Sequence, residues 1–235
     1  MKKLFLCLIL FYSFFLSGCA SQHAWTYKAE PFVQATPILN KSVSISPLSD
    51  QRENVNSNLM ALYLIPLMPF GWQDLNTPEG VQLHVNSGLW LFKPNEDFAK
   101  AIAEELSNAS IFKEVFFTYR ASDADLSLRG KIISTKYNGK ILSYGLSIEG
   151  PLLWFIGFPS TYVENELALQ LELVDMKTNS ILWQQSFKKE DSALSFLYVS
   201  QPDFMYDTLL KDIMKEVIPS IKNKISQNTG IIINH

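Results

Sequence analysis

Residues 167–187 read LALQLELVDMKTNSILWQQSF, and this stretch decides the fold. Leu167, Leu169, Leu171 and Leu173 alternate with Ala168, Gln170 and Glu172. A period of two marks a strand with one face turned to a core. Asp175 to Ser180 supplies a turn, and Ile181, Trp183 and Gln185 alternate again on its far side. The pair reads as a β-hairpin. Its leucine face needs a second layer to cover it.

Working outward, the same period recurs in Ala124–Ile132, where Leu126 and Leu128 face one way and Asp125, Ser127 and Arg129 the other. Val43 and Ile45 alternate with serines in a first strand that Pro47 ends. Val115, Phe117 and Tyr119 alternate with Phe116 and Thr118 in another. Two segments carry the helical period instead. Phe98, Ile102 and Leu106 repeat at i+4, with Asn95 as the expected N-cap, Glu96 and Asp97 suited to the positive end of the helix dipole, and Ser107 and Asn108 at its close. From Asp203 to Ile225, Leu209, Leu210, Ile213, Met214, Val217, Ile221 and Ile225 keep one apolar face, which Pro219 should kink or split. The expected fold is α/β (α+β): a mixed or antiparallel sheet of about four or five strands with helices mainly on one face.

Two apolar stretches stand outside this scheme. Residues 59–72, LMALYLIPLMPFGW, contain no charge, and Pro66, Pro69 and Gly71 forbid one continuous helix. A short helical turn followed by a loop is expected there. Residues 141–163 contain Glu149 as their one charge. Residues 59–72 and the apolar run 151–159, between Pro151 and Pro159, are both too short and too broken by proline to span a bilayer as helices. They either cover the sheet as core or form an exposed patch that meets a partner, a sister subunit or a membrane surface. The candidate patch is Leu64, Leu67, Phe70, Trp72, Leu153, Trp154, Phe155 and Phe158, with the two tryptophans suited to an interface.

The amino terminus has its own chemistry. Lys2 and Lys3 precede an apolar and aromatic run from Leu4 to Leu16, softened by Ser13. A membrane-spanning helix needs about 20 residues, so the run fits the apolar region of a signal peptide. Leu16-Ser17-Gly18-Cys19 follows. This tetrad resembles the bacterial lipobox, in which the cysteine thiol takes a diacylglyceryl group before cleavage. The resemblance implies that residues 1–18 are removed and that Cys19 becomes the lipidated first residue. Ala20 in place of Asp points to the outer membrane by similarity to the enterobacterial sorting rule. Residues 19–41 then read as a tether in which Trp25 and Tyr27 either lie at the lipid interface or dock on the domain. A single domain at 42–228, with apolar insertions at 59–72 and 141–163, completes the chain.

Four phrases together carry a wider resemblance: SVSISPLSDQR at 42–52, FAKAIAEELSNASIFKEV at 98–115, ADLSLRGKI at 124–132 and LELVDMKTNSILWQQSF at 171–187. They look like a broad group of envelope lipoproteins. It includes the curli-secretion lipoprotein family, the auxiliary lipoproteins of ABC-type lipid transporters and the amino-terminal domain of the Tol-Pal propeller protein. The motifs are structural, so the likeness speaks to fold far more than to function.

Composition narrows the function classes. The net charge is −3, and loss of Lys2 and Lys3 makes the remainder more acidic, so there is no footprint for nucleic acid. The cysteines are Cys7, within the leader, and Cys19. His23, His84 and His235 show no metal-ligand spacing, so neither metal nor cofactor is expected. No G-x-S-x-G elbow and no phosphate-binding glycine motif occurs. Asp123 and Asp125 read as a solvated strand start, and Asp50 with Arg52 as a pair that fixes a loop. The expected function is a non-catalytic accessory in envelope assembly, secretion or transport. The protein would be held on the periplasmic face of the outer membrane by lipidated Cys19, with an envelope protein or a second copy as partner. The alternative is a periplasmic carrier, with a lipid or other apolar ligand between residues 62–72 and 152–158.

Overall fold

The computed structural model describes residues 23–32, 35–76, 90–120, 123–197 and 205–229. The expected signal peptide, Cys19, His84 and His235 lie outside these residues. The hairpin is longer than its leucine period announces. β10, Pro159–Asp175, has 17 residues and β11, Ile181–Phe196, has 16. They pair antiparallel from end to end, with Leu169 opposite Phe187 and Leu173 opposite Trp183. Asp175 closes the turn by accepting hydrogen bonds from the backbone N–H groups of Lys177 and Thr178.

On its other side β10 changes partner halfway. Residues 168–175 pair with β8, Leu126–Ser134, and residues 161–165 with β9, Tyr137–Leu142. The sheet therefore forks. One branch continues from β8 to β2, Leu39–Ile45, and β7, Phe112–Phe117, with the short β3, Ser49–Asp50, also on β8. This branch is the body. The other continues from β9 to β5, Phe70–Asn76, and β4, Val55–Leu59. This branch is the arm. β2 is parallel to both β7 and β8, and β3 is parallel to β8, whereas the other pairs are antiparallel, so the sheet is mixed. A separate two-stranded piece joins β1, His23–Ala24, to β6, Trp90–Leu91.

The main sheet has nine strands, not four or five. The physical reason lies in the arm. The buried side of β5 consists of Gly71, Gln73 and Leu75, which carries no leucine alternation. Residues 70–72, expected in a loop, open this strand.

Both long helices pack on the body and against each other. α1, Pro94–Asn108, buries Phe98, Ile102 and Leu106. Its first turn corrects the expected cap. Lys93 is the N-cap and Pro94 the first helical residue, a position where the missing N–H costs nothing. Asn95 lies inside the helix, and its carbonyl accepts from Leu48 N–H. The other long helix, Tyr206–Thr229, runs unbroken through Pro219. That ring is exposed, and so is Lys215, whose carbonyl loses its helical partner, so water can serve the carbonyl in place of a bond. One core cluster joins the two helices to Val43, Ile45, Leu126, Leu128, Ile132, Trp183, Phe187 and the leucines of β10. Among the described residues, none from 55–76 or 137–163 belongs to it.

The segment read as a tether is docked at Trp25, Tyr27 and Glu30. Trp25 packs edge-on against Phe98, and Tyr27 donates to the buried carboxylate of Glu105 at 2.6 Å. Of the two readings for these aromatics, docking on the domain is the one observed.

Candidate functional site

The two apolar stretches meet at the end of the arm. From β4 the chain passes through a 3-10 turn, Met60–Leu64, and a tight turn over residues 65–68 to β5. From β9 it passes through a second 3-10 turn, Ser147–Glu149, and a five-residue helix, α2, Pro151–Phe155, to β10. We number the last helix, Tyr206–Thr229, α3. The two connections are stitched together by main-chain bonds. Leu67 N–H donates to the Gly145 carbonyl at 2.9 Å, and the N–H groups of Ser143 and Tyr144 both donate to the Pro69 carbonyl. Side chains add to the seam. Ser143 Oγ donates to the Met68 carbonyl, Ser147 Oγ to the Leu64 carbonyl, and Trp154 Nε1 to the Leu142 carbonyl at 2.9 Å.

Close approach requires glycine at two points. A Cβ on Gly71 would lie 2.0 Å from the Met60 carbonyl oxygen, and one on Gly150 would lie 2.4 Å from that of Ser143. Left-handed backbone is concentrated here as well. Leu67, Tyr144 and Ser147 have φ of 70°, 58° and 54°, beside Gly145 and Gly157. Such a conformation costs a non-glycine residue about 1–2 kcal/mol, which the surrounding bonds must outweigh.

This construction turns apolar side chains outward. Leu67 is 88 % exposed, Ile148 74 %, Ile156 71 %, Leu152 65 % and Phe155 60 %. Leu64, Ile65, Leu146 and Phe158 are exposed too. Of the eight residues nominated from the sequence, Leu64, Leu67, Phe155 and Phe158 lie on this surface. Phe70, Trp72, Leu153 and Trp154 are half-buried at its base. The eight nominated residues do not include Leu146 or Ile148, nor Leu152 and Ile156, which the sequence reading placed only within the apolar run 152–158. Their signal was their place within the charge-poor run, and nothing local said which way they point. The two segments build a knob, not the cleft expected of a carrier.

At the base of the knob, on the sheet face away from the helices, Trp72, Lys140 and Tyr162 stand side by side in register. Lys140 Nζ lies 5.1 Å from the Tyr162 ring centre and 5.9 Å from that of Phe70. Tyr144 stacks edge-on with Phe158, and burial pushes its phenol pKa up.

Several of the charged groups near the arm and body are engaged by partners of their own. A cleft of about 420 Å³ between Lys136, Tyr162, Glu164, Glu166 and Glu190 is acidic. Lys188 bridges Glu166 and Glu190, and Lys140 approaches Glu164. Arg52 forks onto both oxygens of Asp50 and reaches Thr135 Oγ1 at 2.7 Å, so it holds the loop after β2. Asp125 accepts from Ser42, whose backbone N–H is the main cause of its lowered pKa. Among the described residues no three His, Cys, Asp or Glu side chains converge as a metal site, and no helix is long and apolar enough to cross a membrane.

No protein-family model matches the chain, and no curated protein matches it. Solved structures do resemble it in backbone. A DUF330-family protein from Xanthomonas campestris is 11 % identical, with 89 % of this chain and 99 % of that one covered and a TM-score of 0.48. The PelC dodecamer from Paraburkholderia phytofirmans is 9 % identical, with 81 % and 92 % covered and a TM-score of 0.36. A lipoprotein from Neisseria meningitidis is 13 % identical, with 78 % and 99 % covered and a TM-score of 0.35.

Proposed function

We propose that this protein is a non-catalytic accessory of envelope assembly, secretion or transport, tethered at the periplasmic face of the outer membrane by lipid on Cys19. Its working surface is the apolar knob at the end of the arm. The observation that carries this reading is that an exposed apolar surface is built with care. Two separate chain segments are stitched by hydrogen bonds, fitted by glycines and held in left-handed backbone to present leucine, isoleucine and phenylalanine to solvent. A large exposed apolar patch on a folded protein marks a contact surface. The leader, with its lysines, apolar run and Leu16-Ser17-Gly18-Cys19, supports the tether.

Fractionation of cells carrying Cys19→Ser tests the anchor. Loss of the acylated form, with failure of the protein to mature at residue 19, is the expected result. An unchanged mature mass in the variant would refute the anchor. Replacing Leu67 and Ile148 together by Ser tests the surface. The pathway in which the protein acts should fail while the body keeps its melting transition. Full activity in that variant would refute the knob as the working surface.

A further inference from the structure

We propose that the partner of the knob is a lipid bilayer, into whose interface the two loops insert. The inference rests on the surface assigned above and names what that surface meets.

Three observations select lipid over a protein partner. The first is hydrogen-bond bookkeeping. A segment can enter a hydrocarbon-rich layer only if its backbone polar groups are satisfied internally. Across residues 65–69, the N–H groups of Ile65, Leu67 and Met68 donate to Leu62, Gly145 and Ile65 carbonyls, while Pro66 and Pro69 have none to offer. In the facing connection, Ser143, Tyr144, Leu146, Glu149, Gly150, Leu153, Ile156, Gly157 and Phe158 donate to carbonyls within the knob. The N–H groups of Gly145, Ser147, Ile148 and Leu152 have no such partner among the described residues, which limits insertion to the interfacial layer, where headgroup oxygens and water can accept from them.

The second observation is shape. Leu67, Ile148, Leu152, Phe155 and Ile156 project outward, each at least 60 % exposed. Such a surface needs a matching hollow in a protein but none in a fluid bilayer.

The third observation is the order of chemistry along the arm. The end of the arm, apolar apart from the exposed Glu149 beside Ile148, gives way to Trp72, Lys140, Tyr162 and Tyr144 at its base, so Glu149 must stay at headgroup level. Next come Glu164, Glu166 and Glu190. Aromatic rings and a lysine above an apolar end are the sequence of groups that matches the passage from acyl chains to headgroups to water. The reach is sufficient. Pro159 lies six residue steps along β10 from the buried Asn165 at the junction with the body, which at about 3.3 Å per residue sets the knob about 20 Å out.

The test uses the full lipidated chain with Ile148→Cys, which under the anchor assignment is the one free thiol. It is coupled to an environment-sensitive dye and reconstituted into phosphatidylethanolamine–phosphatidylglycerol vesicles. The dye emission should shift to the blue, be quenched by nitroxides on the acyl chains and be shielded from iodide. The same dye at Glu114→Cys, on the opposite edge of the sheet, should stay open to iodide. Iodide access at 148 equal to that at 114 would overturn the proposal. So would a blue shift that grows with protein-to-lipid ratio without nitroxide quenching, which would mean a second copy covers the knob. The mass of the amino terminus reports the anchor separately. If Cys19 is bare, the same readings on Cys19→Ser/Ile148→Cys still decide whether the knob inserts.

Discussion

Along β10, residues 165–175 and residues 159–164 share a partner strand but not a covering layer. In the first half, Leu167, Leu169, Leu171 and Leu173 are at most 1 % exposed beneath α1 and α3. In the second, every residue is half-buried or exposed, and neighbours come from β9. The junction is Asn165, a buried amide with no protein hydrogen-bond partner among the described residues. Helix cover, not strand pairing, makes the difference: one half is a core, and the other is a stalk whose order comes from backbone bonds and fitted glycines.

The sharpest way to break this contrast is to truncate an aliphatic side chain in each half. Leu171→Ala should cost about 2–5 kcal/mol, as buried large-to-small changes do. Val163→Ala on the arm should cost less than about 1 kcal/mol. Urea unfolding of both variants checks the pair, and equal losses would mean the arm shares the core. Gly71→Ala attacks the arm's own construction, because its methyl would collide with the Met60 carbonyl. A loss of about 1–3 kcal/mol confined to the arm is expected. Hydrogen exchange should accelerate at 55–76 while 167–173 keeps its protection.

Tyr27→Phe asks whether the docked amino-terminal segment belongs to the body. It leaves the buried Glu105 with Glu30 N–H as its remaining observed donor at that oxygen and should cost about 1 kcal/mol or somewhat more. No change in thermal unfolding would mean that the segment is held by something else. Leu67→Asn should act in the opposite direction, gaining up to about 1 kcal/mol in the arm, because asparagine tolerates left-handed backbone better than leucine. A stabilised arm with weakened lipid contact would show strain kept for function.

The smallest effect is the acid limb. Asp175 has its pKa lowered to about 2, chiefly by the hydrogen bond from Lys41 and then by those from Thr178 and Lys177. A depressed carboxylate contributes stability that is complete above the ordinary value of about 4 and is lost as pH falls through the folded value. Acid titration of Asp175→Asn should therefore show a shallower decline between about pH 4 and pH 2 than the parent protein. An identical decline would mean that the turn gains nothing from that ion pair.

What could be read ahead of the structure follows the same division. The strands of the body, the two long helices and the hairpin turn were legible because each buries one face, which writes a period into the residues. β4 buries no residue, and β5 and β9 bury only Gly71, Gln73, Leu75, Tyr137 and Gly139, so they wrote none, and the sheet was expected smaller than it is. Pro219 was expected to disrupt its helix, but a proline on the solvent side of a helix held by its inner face leaves the helix intact. For the knob, composition picked out the two charge-poor segments and could not orient either. Leu64, Leu67 and Trp72 look alike in a string of letters, and only the partner loop decides which of them faces out.

Taken alone, the residues determined a mixed α/β body around a leucine hairpin, the apolar face of each long helix, and two charge-poor insertions belonging to neither. The fork in the sheet, the meeting of the insertions and the exposure of Leu67, Ile148 and Ile156 were decided by tertiary structure. Periodicity records which side of an element is buried against its own layer. Whether two distant apolar segments hide each other or stand together in solvent depends on where the backbone carries them.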